Sequence, residues 1–147
     1  MIPEATHQPI LKEFISRTKK PILELGSGDN STRQIHEWCD NKILTIDDNE
    51  LWLNKYIDLK DERHDFKMLD DYQDENWGLV FVDLINWELR KGAILKYKDA
   101  DYVIIHDSER MFADVFTKAE FSKLFKYWKE FTELLPNTVA ASNKFEI

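Results

Sequence analysis

The sequence predicts a single α/β domain whose doubly wound, mostly parallel sheet carries helices on both faces. Segments of strand length alternate with segments of helical periodicity along the chain. Most of the strand-like segments are rich in apolar residues, and 79–82 is apolar throughout, which is typical of parallel strands buried between helices. Acidic residues follow these segments one after another. Because parallel strands share one carboxyl edge, where ligands bind in such sheets, the same pattern also predicts a ligand site.

Composition limits the class of protein and the partners it can have. A chain of 147 residues is long enough for one core, so we expect a single domain over 1–147. The net charge of −8 opposes binding to the phosphates of a nucleic acid. Cys39 is the only cysteine, which fits a reducing compartment. No signal peptide and no apolar run of the ~20 residues needed to cross a membrane is present, so we expect a cytoplasmic protein without a membrane partner.

The predicted elements follow in order from this alternation. The first strand is placed at 21–25. The other strands are placed at 42–46, 64–69, 79–82, 102–105, 131–135 and 138–142. Helices are placed at 6–19, in the segment carrying Ile35, Trp38 and Cys39, at 51–57, at 87–97, and as one long helix carrying Phe121, Leu124, Phe125 and Trp128. The last two strands are close enough in sequence to form a hairpin.

The segment Pro21–Thr32, PILELGSGDNST, reads as a buried strand, a tight glycine turn and the start of a helix. In the dinucleotide-binding fingerprint, G-x-G-x-x-G, a third glycine would stand where this chain has Ser31. In S-adenosylmethionine (SAM) sites an acid precedes the glycines, because that ligand carries an ammonium and a sulfonium and no phosphate. Glu24 stands two residues before Gly26. The segment therefore favours SAM, while NAD and a tight turn without a ligand remain as alternatives.

Acids stand at or just after the ends of all five parallel strands, and this repeated placement is the second functional signal. The residues are Glu24, Asp47, Asp48, Asp70, Asp71, Asp83 and the pair His106-Asp107. Solvated acids without a role would instead scatter along helix faces, so we expect these side chains to form a site.

With these motifs in view, the chain resembles the class I SAM-dependent methyltransferases over essentially its whole length. ELGSGDNST is similar to the first motif of that family, LVFVD to the fourth, and DYVIIHD to its fifth strand. The resemblance implies a Rossmann-like sheet in the order 3-2-1-4-5-7-6, with six parallel strands and one antiparallel strand. It also implies that Asp47 holds the ribose hydroxyls and that Asp70 or Asp71 lies near the adenine amine. The cofactor-binding set so implied is Glu24, Gly26, Ser27, Gly28, Ser31, Asp47, Asp48, Asp70 and Asp83.

Within that family, the acids of strands four and five resemble those of small O-methyltransferase-like proteins, in which they can hold a divalent metal. The resemblance implies a small-molecule acceptor, Asp83, His106 and Asp107 as catalytic residues, and Mg²⁺ between Asp83 and Asp107. Leu84 departs from the pattern, since that branch usually has glycine there. No N-P-P-Y-like loop follows strand four and Cys39 is not preceded by proline, so methylation of DNA bases is not expected.

Three interpretations of function stay open at this point. All connections are short, so little of the chain is left to roof an acceptor pocket. In the first interpretation, a methyltransferase, the acceptor is then small or a second copy in a homo-oligomer completes the pocket. In the second, the chain binds SAM without transferring methyl. His106 is the candidate base, but a histidine at a strand end is often only a structural hydrogen-bonding group. An NAD-type domain is the third interpretation.

Overall fold

The computed structural model describes residues 5–69 and 75–147. The helices are α1 (Gln8–Ser16), α2 (Thr32–Trp38), α3 (Glu50–Asn54), α4 (Trp87–Tyr97), α5 (Ser108–Asp114) and α6 (Lys118–Leu124). The strands are β1 (Ile22–Leu25), β2 (Ile43–Asp47), β3 (His64–Met68), β4 (Leu79–Val82), β5 (Tyr102–His106), β6 (Tyr127–Phe131) and β7 (Thr138–Ser142). In this part of the chain no helix has the length and apolar character needed to cross a membrane.

The strands form one seven-stranded sheet in the order β3-β2-β1-β4-β5-β7-β6. Strands β1 to β5 pair in parallel, and β7 lies antiparallel to both β5 and β6. The predicted topology is confirmed. Consecutive strands run outward from β1 on one side and from β4 on the other, so the topological switch point lies between β1 and β4.

The two faces of the sheet are covered by different helices, because successive strand residues point to opposite faces. On one face, Ile22 and Phe81 pack in a core cluster with Phe14 of α1 and Ile35 of α2. On the other face, the core cluster contains Leu23 and Leu25. Helices α4, α5 and α6 contribute Ile94, Met111 and Phe121 to that second cluster. The prediction of a doubly wound sheet is therefore confirmed, and burial of these side chains, at roughly 1.5–3 kcal/mol each, holds the layers together.

The region after β5 differs from the prediction. The expected long helix is two short helices, and Trp128, placed in that helix by its spacing, lies in β6. Thr117 starts α6 with a capping box, and at Phe125 the backbone is already extended. The ring of Trp128 lies 5.3 Å from that of Phe121, so the helical spacing of the aromatics reports one shared cluster and not one helix. The strand predicted at 131–135 was wrong in its bounds, because β6 is Tyr127–Phe131 and overlaps that range only at Phe131.

Candidate active site

A cavity of about 510 Å³ opens at the carboxyl edge of the sheet, at the switch point between β1 and β4. Its wall includes the loop after β1, the end of β2, the ends of β4 and β5, and residues that lead into α1 and α4. The lining residues are His7, Gly26, Ser27, Gly28, Asp29, Asn30, Ser31, Asp47, Trp52, Asp83, Ile85, Trp87, Arg90, His106, Asp107, Arg110 and Pro136. Most of the predicted site residues are thus brought together.

The two glycines of the loop have different roles. Gly26 has φ +97°, and a Cβ there would lie 2.5 Å from the carbonyl oxygen of Asp83. Glycine at this position lets the end of β1 pass against the end of β4. At Gly28 a Cβ would meet no heavy atom closer than 3.6 Å, the Oγ of Ser31. Gly28 is therefore not required by packing, and its open side faces the cavity.

Glu24 lies beneath the loop and is absent from the described residues that line the cavity. Its side chain is fully buried. One carboxylate oxygen accepts a hydrogen bond from Ser31 Oγ at 2.5 Å, and the other accepts one from Thr45 Oγ1 at 2.9 Å. Burial raises the pKa of Glu24 to about 8, although the hydrogen bonds from Ser31 and Thr45 act in the opposite direction. The structure thus places Glu24 as a support of the loop, and its contact with a ligand stays a prediction.

Asp47 and Asp48 are adjacent but have opposite environments. The Asp47 residue is 5% exposed, and its Oδ2 accepts hydrogen bonds from the backbone N and the Oγ of Ser27, at 2.8 and 2.7 Å. Its Oδ1 accepts from the backbone N of Asn49 at 2.9 Å. Asp48 is exposed and lies outside the described cavity lining. Asp47 is therefore the acid of this pair that the fold orients toward the cavity.

The wall next to Asp47 is formed by Trp52, which the first turn of α3 holds in place. Asn49 caps that helix, its side chain accepting from the backbone N of Leu51 and of Trp52. Asp70 and Asp71, predicted near the adenine, lie outside the described residues.

Arg90 joins the ends of β4 and β5, and sequence reasoning missed it. Its side chain is 4% exposed. Nη2 donates to Oδ1 of Asp83 at 2.9 Å, Nη1 donates to the carbonyl oxygen of His106 at 2.7 Å, and Nε donates to the carbonyl oxygen of Leu84. Nη2 also lies 3.7 Å from Oδ2 of Asp107. The signal was available in the sequence, because position 90 falls on the buried helical face continued by Ala93, Ile94 and Tyr97.

His106 is held so that both of its ring nitrogens face acceptors. The Thr6 hydroxyl donates to the carbonyl oxygen of Pro136 at 2.7 Å, so it presents a lone pair to Nε2 of His106 at 3.4 Å. Nδ1 lies 3.4 Å from Oδ1 of Asp83. Burial lowers the pKa of His106, but the hydrogen bond and charge of Asp83 and the charge of Asp107 outweigh it, so the pKa is raised above 6.5. The arrangement favours the imidazolium form.

The predicted Mg²⁺ site does not fit this geometry. Ligand atoms of Asp83, His106 and Asp107 do lie within 4.8 Å of one another. However, the buried guanidinium of Arg90 already provides the positive charge between the two carboxylates, and it would repel a dication. Asp107 stands at the N-cap of α5, but its side chain makes no capping hydrogen bond there. The ion pair with Arg90 therefore explains the presence of this carboxylate better than a capping role does.

His7 reaches the cavity from the residue before α1, and it too was missed. The residue is 1% exposed, its Nε2 lies 3.1 Å from the carbonyl oxygen of Asn30, and its ring centroid lies 4.5 Å from that of His106. Burial, reinforced by the positive charge of His106, lowers the pKa of His7 to about 4. A neutral His7 therefore donates to the loop and packs against the charged ring of His106. No local pattern around residue 7 indicates this contact, because its partners are distant in sequence.

The sequence matches no protein-family model and no curated protein. Solved structures do match. The bifunctional kinase-methyltransferase WbdD matches at 17% identity with TM-score 0.58, over 92% of this chain and 38% of that chain, so this chain spans under two-fifths of its length. N-methyltransferase NodS from Bradyrhizobium japonicum WM9, in complex with S-adenosyl-L-homocysteine, matches at 13% identity with TM-score 0.62, over 92% and 83%. An rRNA methylase from Streptococcus thermophilus matches at 14% identity with TM-score 0.56, over 97% and 98%. Together with the strand order, these matches show that the chain has the Rossmann-like fold of class I SAM-dependent methyltransferases.

Proposed function

We propose that the chain is a SAM-dependent methyltransferase that transfers methyl to a hydroxyl group of a small molecule without a metal. The observation that carries the proposal is the single cavity in which the Gly26–Asn30 loop, the Asp47 carboxylate and the Asp83–His106 pair meet. The first two are a cofactor site, and the third is a proton-accepting site beside it. The complex of NodS with S-adenosyl-L-homocysteine supports the choice of cofactor.

The charge of the cavity suits SAM better than a dinucleotide. Among the described lining residues, four are carboxylates, on Asp29, Asp47, Asp83 and Asp107. Arg90, one of the two lining arginines, is committed to Asp83 and Asp107. A ligand with an ammonium and a sulfonium gains from these carboxylates, whereas a pyrophosphate would be repelled. We expect Gly26 to Asn30 to receive the methionine part and Asp47 to accept from the ribose hydroxyls.

The chemistry needed from the protein is modest. SAM, when bound, supplies an electrophilic methyl group on a sulfonium sulfur. His106 can take the proton of an acceptor hydroxyl at Nδ1 when its ring is neutral, a form that gains population as the pH rises above its raised pKa. Its contact with Asp83 at 3.4 Å is long for a charge-assisted hydrogen bond. Asp83 then stabilises the imidazolium, and Arg90 holds Asp83 in place.

An RNA acceptor is the second possibility that the neighbours raise, through the rRNA methylase. The net charge of −8 opposes it, because binding to an RNA backbone depends on clustered Lys and Arg. We therefore propose a small acceptor.

The test is calorimetry with SAM, S-adenosylhomocysteine and NAD, followed by transfer of labelled methyl to a panel of hydroxylated small molecules with and without EDTA. We expect both adenosyl ligands to bind, NAD not to bind, and transfer to continue in EDTA. At 100 times its dissociation constant, SAM should stabilise the fold by about 2.7 kcal/mol. An absence of heat and of any melting shift with SAM would overturn the proposal. Tight SAM binding without transfer to any acceptor would support a SAM-binding module instead.

A further inference from the structure

A chain of hydrogen-bonded side chains runs inside the fold from Glu24 to the surface of α2. Thr45 Oγ1 lies 2.9 Å from Glu24 Oε1 and 2.8 Å from Nε2 of His64. Nδ1 of His64 lies 2.9 Å from Nδ1 of His36. Glu24, Thr45 and His64 are fully buried, while the side chain of His36 is 23% exposed. The chain therefore connects a buried carboxyl group beneath the cofactor loop with solvent.

This series of hydrogen-bonded side chains crosses three strands and one helix on a single face of the sheet. Glu24 and Thr45 are register partners on β1 and β2, and His64 is the first residue of β3. Their neighbours on this face include Ile22 and Ile43, which belong to the apolar core. Buried polar groups among apolar residues are unfavourable unless they are fully hydrogen-bonded. A continuous series of such groups in the apolar core therefore indicates a functional role.

With Glu24 ionised, every donor in the chain can point toward it. Nη2 of Arg63 donates to Nε2 of His36 over 3.4 Å. Nδ1–H of His36 then donates to Nδ1 of His64. Nε2–H of His64 donates to Thr45, and the Thr45 hydroxyl donates to Glu24. Both histidines are neutral in this arrangement, and no two donors face each other.

With Glu24 protonated, the three contacts from Glu24 to His36 can run the other way, and the Arg63 guanidinium then no longer donates to Nε2 of His36. Glu24 donates to Thr45, Thr45 donates to Nε2 of His64, and Nδ1–H of His64 donates to His36. Nε2–H of His36 then faces Oδ2 of Asp61 at 3.8 Å. The two arrangements differ by one proton. When a proton arrives at Nε2 of His36, each proton along the series moves across one hydrogen bond, and the last of them reaches Glu24. Glu24 can exchange its proton with solvent without leaving the core.

We propose that this series of hydrogen-bonded side chains, from Glu24 to His36, is the path by which Glu24 releases its proton when a ligand of positive charge enters the cavity above it. The inference rests on the proposed function, because SAM is the cationic ligand it invokes. Binding SAM would then ionise Glu24, whose negative charge beneath the loop stabilises the bound cation, and the released proton leaves through Thr45, His64 and His36.

The surroundings of Glu24 agree with a proton that is present without ligand and lost with it. Ser31, which precedes α2, Thr32 of α2 and Thr45 of β2 direct hydroxyls at the carboxyl group and favour its ionised form. Burial and the negative charge of Asp83 on the β4 side act the other way and dominate, so the pKa is about 8. The phenol of Tyr56, after α3, also interacts with Glu24. A cation in the cavity offsets the negative charge of Asp83 and favours the ionised form of Glu24.

The equilibrium part is tested by titrating the protein with SAM at pH 7 in buffers with different heats of ionisation. Wild type should release close to one proton per SAM bound, about the fraction protonated one pH unit below a pKa near 8. Glu24→Gln should still bind SAM and release close to one proton fewer than wild type, because any proton displaced from His106 is common to both proteins. Equal proton release by wild type and Glu24→Gln would overturn the proposal.

The path is tested with Thr45→Val, an isosteric change that removes the bridging hydroxyl. Stopped-flow mixing with SAM and a pH indicator should show proton release delayed at least about tenfold relative to binding. Thr138→Val is the matched control, since Thr138 is a buried strand threonine whose hydroxyl has no hydrogen-bond partner in the described structure. Proton release by Thr138→Val should keep the wild-type rate. Proton release at the wild-type rate in Thr45→Val would overturn the proposed path.

Failure of the proposed function would give a different result. If SAM gives no heat in any buffer, the proposed function fails. The chain itself is still tested in the ligand-free protein by NMR, through the carboxyl carbon of Glu24 and the ring nitrogens of His64. Coupled changes of the Glu24 carboxyl and the His64 tautomer with pH support the chain, and independent changes reject it.

Discussion

Adjacent residues at the end of β2 give the sharpest test at the scale of single side chains. Asp47 lines the cavity and accepts three hydrogen bonds from Ser27 and Asn49, whereas Asp48 is exposed. We expect Asp47→Ala to weaken SAM binding by roughly 1.5–3 kcal/mol, about 10- to 150-fold, because a hydrogen-bonded carboxylate is lost. Asp48→Ala should change it little. Calorimetry on both variants decides the point, and equal losses would contradict the assignment.

Arg90 gives a second single-residue prediction, with Arg110 as its matched control. Both guanidiniums lie over the ring of Trp87, at 4.3 and 5.7 Å from its centroid, but Arg90 is buried and Arg110 is exposed. Arg90→Met leaves the carboxylate of Asp83 without its partner and should lower the free energy of unfolding by roughly 3–5 kcal/mol. Arg110→Met should stay within about 0.5 kcal/mol. Urea unfolding measures both, and similar losses would show that Arg90 does not hold the strand ends together.

At this scale the sequence located the acids but not their partners. Asp47, Asp83 and His106 were predicted because each follows an apolar strand, and strand ends are visible locally. Arg90 reaches the site from α4 and His7 from the residue before α1, and the positions of both helices depend on the packing of the whole domain. The Mg²⁺ site between Asp83 and Asp107 finds no support in the structure, because the folded chain places the Arg90 guanidinium against Asp83.

Among the elements, the β1–α2 loop separates packing from ligand binding. Gly26→Ala would place a Cβ 2.5 Å from a backbone oxygen at φ +97°, so we expect a loss of at least about 2 kcal/mol in unfolding free energy. Gly28→Ala meets no atom within 3.6 Å and should leave stability within about 0.5 kcal/mol. Its methyl group faces the cavity, so SAM affinity should fall. Thermal unfolding with and without SAM separates the two, and a Gly28→Ala variant as unstable as Gly26→Ala would contradict these roles.

Elements were predicted well where neighbouring residues decide them and poorly where distant ones do. Strands β1, β2, β4 and β5 were found because their apolar runs are buried on both faces, whereas β3, the sequence HDFKM, is only partly buried. The helix through Trp128 was wrong because aromatic residues of α6 and β6 pack into one cluster, which imitates helical spacing along the sequence. A period alone does not show whether side chains share one helix or meet from two elements.

For the whole molecule, long-range contacts decide what the sequence could not show. The strand order followed from the family resemblance and is confirmed. By contrast, Thr6 meets His106 across 100 positions, and the side chains from Glu24 to His36 meet only because β1, β2, β3 and α2 lie together. These buried titratable groups make stability a function of pH.

The sign of that dependence follows from three groups. His7 and His64 have pKa values lowered to about 4, chiefly by burial, so their contribution is present above pH 6.5 and is lost as the pH falls toward 4. Glu24 has its pKa raised from 4.5 to about 8 by burial, so its contribution is present below pH 4.5 and is lost as the pH rises toward 8. Between pH 4.5 and 6.5 the two histidines outweigh Glu24, and above 6.5 Glu24 acts alone among them.

We therefore expect the ligand-free protein to be most stable near pH 6.5, with a decline toward pH 8 that the raised pKa of His106 reinforces. One proton corresponds to about 1.4 kcal/mol per pH unit, which sets the steepest slope that Glu24 can cause. Glu24→Gln should reduce the decline above pH 6.5 and steepen the rise in stability between pH 5 and 6.5, since the two histidines then act unopposed. Urea unfolding of both proteins at pH 5, 6.5 and 8 measures this. Parallel curves for the two proteins above pH 6.5 would mean that Glu24 is already ionised in the folded chain, because only a proton held by the native state and released on unfolding gives this slope.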